Sequence, residues 1–129
     1  MATNVTQFNG ELVQALEASK RDTIVLHRRQ VLTFVQVVAG RTPIDTGHAQ
    51  ANWVAYVGPG SDIELFNEPQ TIQQIRDRSA SNLRRLKFGD VVTVVNNAPY
   101  ISFLNEGSSK QAPAGFIEAA EAIVNAAFP

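Results

Sequence analysis

Apolar residues between Val5 and Val38 recur at Val5, Phe8, Leu12, Leu16, Ile24, Val31, Val35 and Val38. That spacing is close to the helical period. No proline falls between Val5 and Ala39, and Gly10 is the single glycine in that stretch. The pattern predicts a long first helix over residues 1–40, stopped by Gly40 and Pro43. A continuous helix of that length spans about 50 Å, longer than the core of a small domain requires. Its middle turn, Ser19 to Thr23, is polar on most sides, so the helix is expected to bend there or cross solvent. Its last two turns differ. Val31, Leu32, Phe34, Val35, Val37 and Val38 leave little polar face. Such a surface must be buried on several sides, and in so short a chain some of that burial is expected from another subunit. The β-branched content keeps a strand reading open for 31–38.

The rest of the chain alternates shorter patterns. Thr42 to Gly47 is turn-like, and a short Ala-rich helical turn is expected after it. Trp53 to Val57 reads as a strand, ended by Gly58-Pro59-Gly60. Residues 61–69 read as a loop. Thr71 to Leu86 places Ile72, Ile75, Ser79, Leu83 and Leu86 on one face of an amphipathic helix. Val91 to Val95 is the clearest strand pattern, turned by Asn96 to Pro99. Tyr100 to Leu104 suits one or two helical turns, and 106–113 a loop. Pro113 is suited to open a last helix carrying Phe116, Ala119, Ala120, Ile123 and Ala127 on one face. Helices outweigh strands, and no regular crossovers separate the strands. The expected class is α+β: a long N-terminal helix, a small antiparallel sheet, a central amphipathic helix and a C-terminal helix. One domain is expected over 1–129, with the helix at 1–40 and an α+β body at 42–129.

Charge refines this picture. The net charge is −1, which disfavours a strongly basic nucleic-acid binder at the level of the whole chain. The near-zero total conceals blocks of alternating sign. Residues 1–41 carry +2, 60–68 carry −3, 69–90 carry +3 and 91–129 carry −2. The plain reading is solvated faces of different sign. The sharper reading is complementary patches between subunits, where charge sets register. The candidate interface residues are then Arg21, Arg28 and Arg29, the acidic Asp62, Glu64 and Glu68, and the basic Arg76, Arg84 and Arg85. Charged residues are only 18%, below the usual share for soluble domains, as expected of a surface partly covered by a partner. No apolar run reaches the 18 residues of a membrane span, and the first ten residues lack the pattern of a secretory signal.

Candidate chemistry is sparse. The chain has no cysteine, so disulfides, thiolate metal sites and cysteine nucleophiles are excluded. His48 follows Asp45 at a one-turn spacing, but His27 is the only other histidine, which is too few for a metal site. His48 reads as a polar loop residue beside a capping Asp45. Ser108 and Ser109 lack a nucleophile elbow, and Gly58 to Ser61 lacks the lysine of a phosphate loop. Arg76, Arg78, Arg84, Arg85 and Lys87 form a basic stretch. It reads as a solvated or ion-paired helix face, with nucleic-acid contact as the alternative. Trp53 and Tyr100 read as core aromatics. No catalytic, cofactor or metal site is expected, and no enzyme.

Two segments resemble a known family. One is Thr42-Pro-Ile-Asp45-Thr46-Gly47-His-Ala-Gln-Ala-Asn52-Trp53. The other runs from Val95 through Asn96, Asn97, Pro99, Tyr100, Glu106, Gly107, Lys110, Pro113 and Gly115 to Phe116. Their order after a long helix is similar to that in the tail-component and neck-protein family of long-tailed bacteriophages, over residues 30–129. The chain departs from the family pattern at Glu106 and in the 59–69 loop. The resemblance implies a non-enzymatic virion protein at the head–tail junction or tail top. It would reside in the host cytoplasm during assembly, without a membrane. It would form a homo-oligomeric ring, sixfold if it matches the tail, contact other neck and tail proteins, and meet passing DNA at most non-specifically. The alternative is a small nucleic-acid-binding or regulatory module using the basic helix 76–87. The motif residues have roles in shape. Asp45 is expected to cap a turn, and Gly47 and Gly107 to allow close approach or positive φ. Asn96 and Asn97 are expected to satisfy loose backbone groups at the strand end. Pro99 fixes the exit of that turn, Tyr100, Phe103 and Leu104 pin the next segment to the sheet, and Lys110 to Gly115 launches the last helix.

Overall fold

A computed structural model of the chain describes residues 5–44, 47–65, 68–99, 101–106 and 114–129. The order of elements is α1 (Val5–Arg41), α2 (His48–Ala51), β1 (Trp53–Val57), α3 (Ile72–Asn82), β2 (Val92–Asn96), α4 (Ile101–Asn105) and α5 (Phe116–Ala127). A 3-10 turn, Leu83–Arg85, extends α3. The architecture is α+β, with a long N-terminal helix, a two-stranded antiparallel sheet, a central helix and a C-terminal helix.

α1 is one continuous helix through its polar middle, so the open strand reading at 31–38 gives way to helix. It passes Gly40 and stops at Arg41. Pro43 has no N–H with which to continue the ladder. Strand β1 pairs with β2 in the register Trp53↔Asn96, Ala55↔Val94 and Val57↔Val92. One face of this ribbon, with Trp53, Ala55, Val92 and Val94, joins the core. Leu32, Val35, Val38 and Ala39 of α1 pack there with Ile75 and Leu83, and with Phe116 and Ala120 of α5. A two-stranded ribbon is marginal alone, and three helices on one face make it stable. The apolar end of α1 is therefore covered largely by its own chain. Val31, Phe34 and Val37 remain half-buried at the edge.

Three boundaries differ from the pattern-based expectation. β2 is shifted by one residue, because Val91 lies outside the ladder and only its carbonyl accepts, from Gly58 N–H. The central helix tightens at Leu83 into a 3-10 turn. α5 begins at Phe116 rather than at Pro113, with Gly115 in the N-cap position. Thr71 and Gln74 form a capping box at the start of α3. The Thr71 hydroxyl accepts from Gln74 N–H at 3.0 Å, and the Gln74 side chain accepts from Thr71 N–H at 2.8 Å.

Candidate functional site: a motif node and an exposed arm

The two motif segments meet at one end of the sheet. β-pairing places Trp53 opposite Asn96, which brings the asparagines of both segments together. Asn96 donates from Nδ2 to the Ala49 carbonyl at 2.7 Å, and its Oδ1 accepts from Ala98 N–H at 3.0 Å. Asn52 is 1% exposed. It donates to the His48 carbonyl at 2.8 Å and accepts from Leu65 N–H at 2.7 Å. Asn97 donates to the Ser61 and Ile63 carbonyls at 2.6 and 3.2 Å. Together Asn52 and Asn97 latch the 61–65 loop onto the sheet end. The Glu64 carboxylate contacts His48 Nε2, so His48 opens α2 as a loop anchor.

Close backbone approach explains two glycines here. Gly47 has φ +80, and a Cβ on it would lie 2.9 Å from the Pro69 Cα. A Cβ on Gly60 would lie 2.6 Å from Val95 Cγ1, so the loop lies against the second face of the sheet. Beneath the node, Trp53 Nε1 donates to the Thr42 hydroxyl at 2.8 Å, and that hydroxyl donates to the Val38 carbonyl at 2.7 Å. The motif tryptophan thus ties β1 to the end of α1.

Arg78 is turned inward. Its Nη2 donates to the Ala51 and Trp53 carbonyls at 2.6 and 3.1 Å. Burial lowers its pKa from the ordinary arginine value, and Tyr56 raises it in part. Ser79 accepts from Ala55 N–H at 3.0 Å, and Asn82 donates to the Ala55 carbonyl at 3.0 Å. The central helix therefore uses one polar edge to hold β1. At the far end, Asn105 spans α4 and α5. It donates to both carboxylate oxygens of Glu118 at 3.0 Å, and its own side-chain oxygen accepts from Ile117 N–H at 3.0 Å.

Several expected residues fall elsewhere. Asp45, Thr46, Tyr100, Gly107, Lys110 and Pro113 lie outside the described residues, as do Ser108 and Ser109. The N-cap position of α2 belongs to Gly47, with no side-chain cap. Pro99 and Glu106 are exposed at the two ends of the α4 segment. Gly115 donates its N–H to the Asn105 carbonyl at 2.7 Å.

The candidate interface set does not gather into one patch. Arg28 reaches the Leu83 carbonyl at 3.4 Å and Glu64 pairs with His48, so both act within the chain. Arg76 is half-buried. Arg21, Arg29, Asp62, Glu68, Arg84 and Arg85 are exposed. The basic stretch is likewise divided. Arg84 and Arg85 border an open concavity of about 380 Å³ with Tyr56, Ser81 and Asn82, whereas Arg78 belongs to the interior.

A different surface is more marked. Along the outer half of α1, Phe8 is 57% exposed, Leu12 48% and Leu16 52%. Val13 is exposed beside them. At about 100° per residue this stripe points roughly 140° away from the core-facing side at Val35. The outer half of the helix is thus not simply polar. It is an arm with an uncovered apolar ridge. Among the described residues no group of three His, Asp or Glu is placed to hold a metal, and no helix is long and apolar enough to cross a membrane. Comparison with family models, curated proteins and solved structures found no match.

Proposed function

We propose that this chain is a structural virion protein of a tailed bacteriophage, a ring-forming neck or tail-completion subunit at the head–tail junction or tail top. The observation that carries the reading is the pair of motif segments. They occur in the family's order, and their Asn52, Asn96 and Asn97 form one hydrogen-bonded node. The Asn52, Asn96 and Asn97 side chains bond backbone groups of the neighbouring segments, which is framework work and suits a subunit whose function is shape. The α1 arm extends well beyond what the core uses, as a subunit that contacts neighbours requires.

The test is cryo-electron microscopy of virions carrying this chain with a small tag. The expected result is ring density and label between portal and tail tube. Label absent from purified virions would refute the reading. Exposed Arg84 and Arg85 beside the concavity favour a second reading, a nucleic-acid-binding module. That reading expects salt-dependent retardation of duplex DNA, lost with Arg84→Ala and Arg85→Ala together. Unchanged DNA mobility at low salt would exclude it.

A further inference from the structure

The two edges of the β ribbon differ. Along the outer edge of β1, α3 and the turn after it supply a side chain to one backbone group after another. Arg78 donates to the Trp53 carbonyl at 3.1 Å, and Ala55 N–H donates to the Ser79 hydroxyl at 3.0 Å. Asn82 donates to the Ala55 carbonyl at 3.0 Å, and Arg85 reaches the Val57 carbonyl at 3.5 Å. Those bonds fix the pairing pattern. Trp53, Ala55 and Val57 turn their backbone groups away from β2. In an antiparallel ladder their partners Asn96, Val94 and Val92 then turn theirs away from β1. Among the described residues, nothing bonds to the outward N–H and C=O groups of Val92 and Val94.

An open row of backbone donors and acceptors is a template for pairing, and proteins ordinarily blunt it with charge, proline or a covering element. Val92-Thr93-Val94-Val95-Asn96 carries neither charge nor proline. All five residues are half-buried, whereas Trp53, Val54 and Ala55 of β1 are buried. Beside this edge lies a concavity of about 320 Å³ between α1 and α5, which Val94 lines and no β1 residue does. Its walls are mixed. Val31, Phe34 and Val124 are apolar, while His27, Gln30 and Asn125 are polar. Among the residues lining it, Glu121 supplies the one carboxylate, and there is no Lys or Arg.

We propose that β2 accepts an extended segment of another protein as a third, antiparallel strand, and that a lysine or arginine of that segment enters the α1/α5 concavity toward Glu121. A free backbone row is recognised by another backbone in extended form, and a side pocket supplies the sequence preference. The residue opposite Val94 exchanges both backbone bonds with it and points its side chain to the same face. That is the face Val94 turns to the core, so the incoming side chain enters the concavity beside Val94. The mixed wall matches a long basic residue. Its stem covers Val31, Phe34 and Val124, and its cation meets the exposed Glu121 carboxylate. An acidic side chain there would be repelled, and an apolar one would desolvate the carboxylate without pairing it. A second copy's β2 has no basic residue to offer. Such a site belongs to a single subunit and does not depend on ring formation.

Amide hydrogen exchange of the full chain, read by NMR, tests the edge first. Thr93 and Val95 N–H groups face β1 and are expected to exchange about tenfold or more slower than those of Val92 and Val94. The probe is then the acetylated and amidated peptide Thr-Val-Thr-Lys-Thr-Val-Thr. It is expected to slow exchange at Val92 and Val94 on binding. Methylating the backbone nitrogen of its lysine removes the bond to the Val94 carbonyl with the side chain intact, and is expected to abolish binding. Norleucine in place of the lysine, or Glu121→Gln in the protein, is expected to weaken binding about fivefold, as for a part-exposed ion pair. The two changes together should weaken it no more than either alone. No binding of the lysine peptide at about 2 mM would overturn the proposal. Equal binding of the methylated or the norleucine peptide would overturn it too. So would Val92 and Val94 amides already protected in the free chain. Protection independent of concentration would place another part of this chain on the edge, and protection that grows with concentration would place a second copy there.

Discussion

Asn97 holds Ser61 and Ile63 through a single amide group, and Asn52 holds Leu65 from a nearly inaccessible position. The two latches differ in burial, so their removal should differ in cost. Asn97→Ala is expected to lower stability by about 1 kcal/mol, the usual net worth of a part-exposed hydrogen bond. Asn52→Ala empties a buried site and leaves the His48 carbonyl and Leu65 N–H without this partner, and is expected to cost about 2–3 kcal/mol. Chemical denaturation measures both, and hydrogen exchange should show faster opening of 61–65 in each. The glycines can be ranked in the same way. Gly47→Ala meets positive φ and the Pro69 backbone together, and is expected to cost about 2–4 kcal/mol. Gly60→Ala meets side chains alone, Val95 most closely and Thr93 next, so Val95→Ala should restore part of its loss in a double-mutant cycle. The sequence alone supports Gly47 as a close-approach position, because a turn surrounds it. It does not expose the role of Gly60, because the contact depends on a strand residue 35 positions later. The capping box at Thr71 and Gln74 is local and legible, whereas the Asn105 link to α5 requires the fold.

At the scale of elements, α1 is two helices in function within one in geometry. Its C-terminal half contributes Leu32, Val35, Val38 and Ala39 to the core, while residues 7–17 are exposed throughout. Val35→Ala is expected to destabilise the body by about 2 kcal/mol through lost burial and a small cavity. Ala15→Pro breaks the helix ladder locally at a cost of about 3 kcal/mol, yet should leave the body's unfolding midpoint unchanged. Denaturation followed by Trp53 fluorescence reads the body, and circular dichroism reads the lost arm helicity. Equal loss of body stability in both variants would mean that the arm and body unfold as one unit. Periodicity made the helix and its length legible. It did not distinguish which apolar end the chain itself covers. Val31 to Val38 is apolar nearly all round, and α3, α5 and the sheet bury most of it while Val31, Phe34 and Val37 stay half-buried. Phe8, Leu12 and Leu16 recur at the same helical spacing, yet they are about half exposed and nothing in the described body lies against them. Helical period reports that a face is apolar. Which molecule covers that face is a property of tertiary placement.

For the whole molecule, the competing readings depend on different forces, and salt separates them. Self-association through the exposed Phe8, Leu12 and Leu16 ridge is driven by apolar burial, which ions do not screen. Nucleic-acid contact through Arg84 and Arg85 is driven by phosphate charge and counterion release. Raising sodium chloride from about 0.1 M to 1 M shortens the Debye length from about 10 Å to 3 Å. Sedimentation equilibrium across that range is therefore expected to show self-association unchanged or slightly stronger. Leu12→Glu should reduce it at every salt concentration. Mobility of duplex DNA in the same buffers should show either no complex at any salt or one that disappears as salt rises. A self-association that collapses at 1 M salt would instead place the contact between the alternating charge blocks. Arg21, Asp62 and Glu68 are exposed and would then become the residues to reverse in sign. The same titration thus distinguishes an apolar arm, a charged patch and a polyanion site, because each couples the assembly to salt with a different slope.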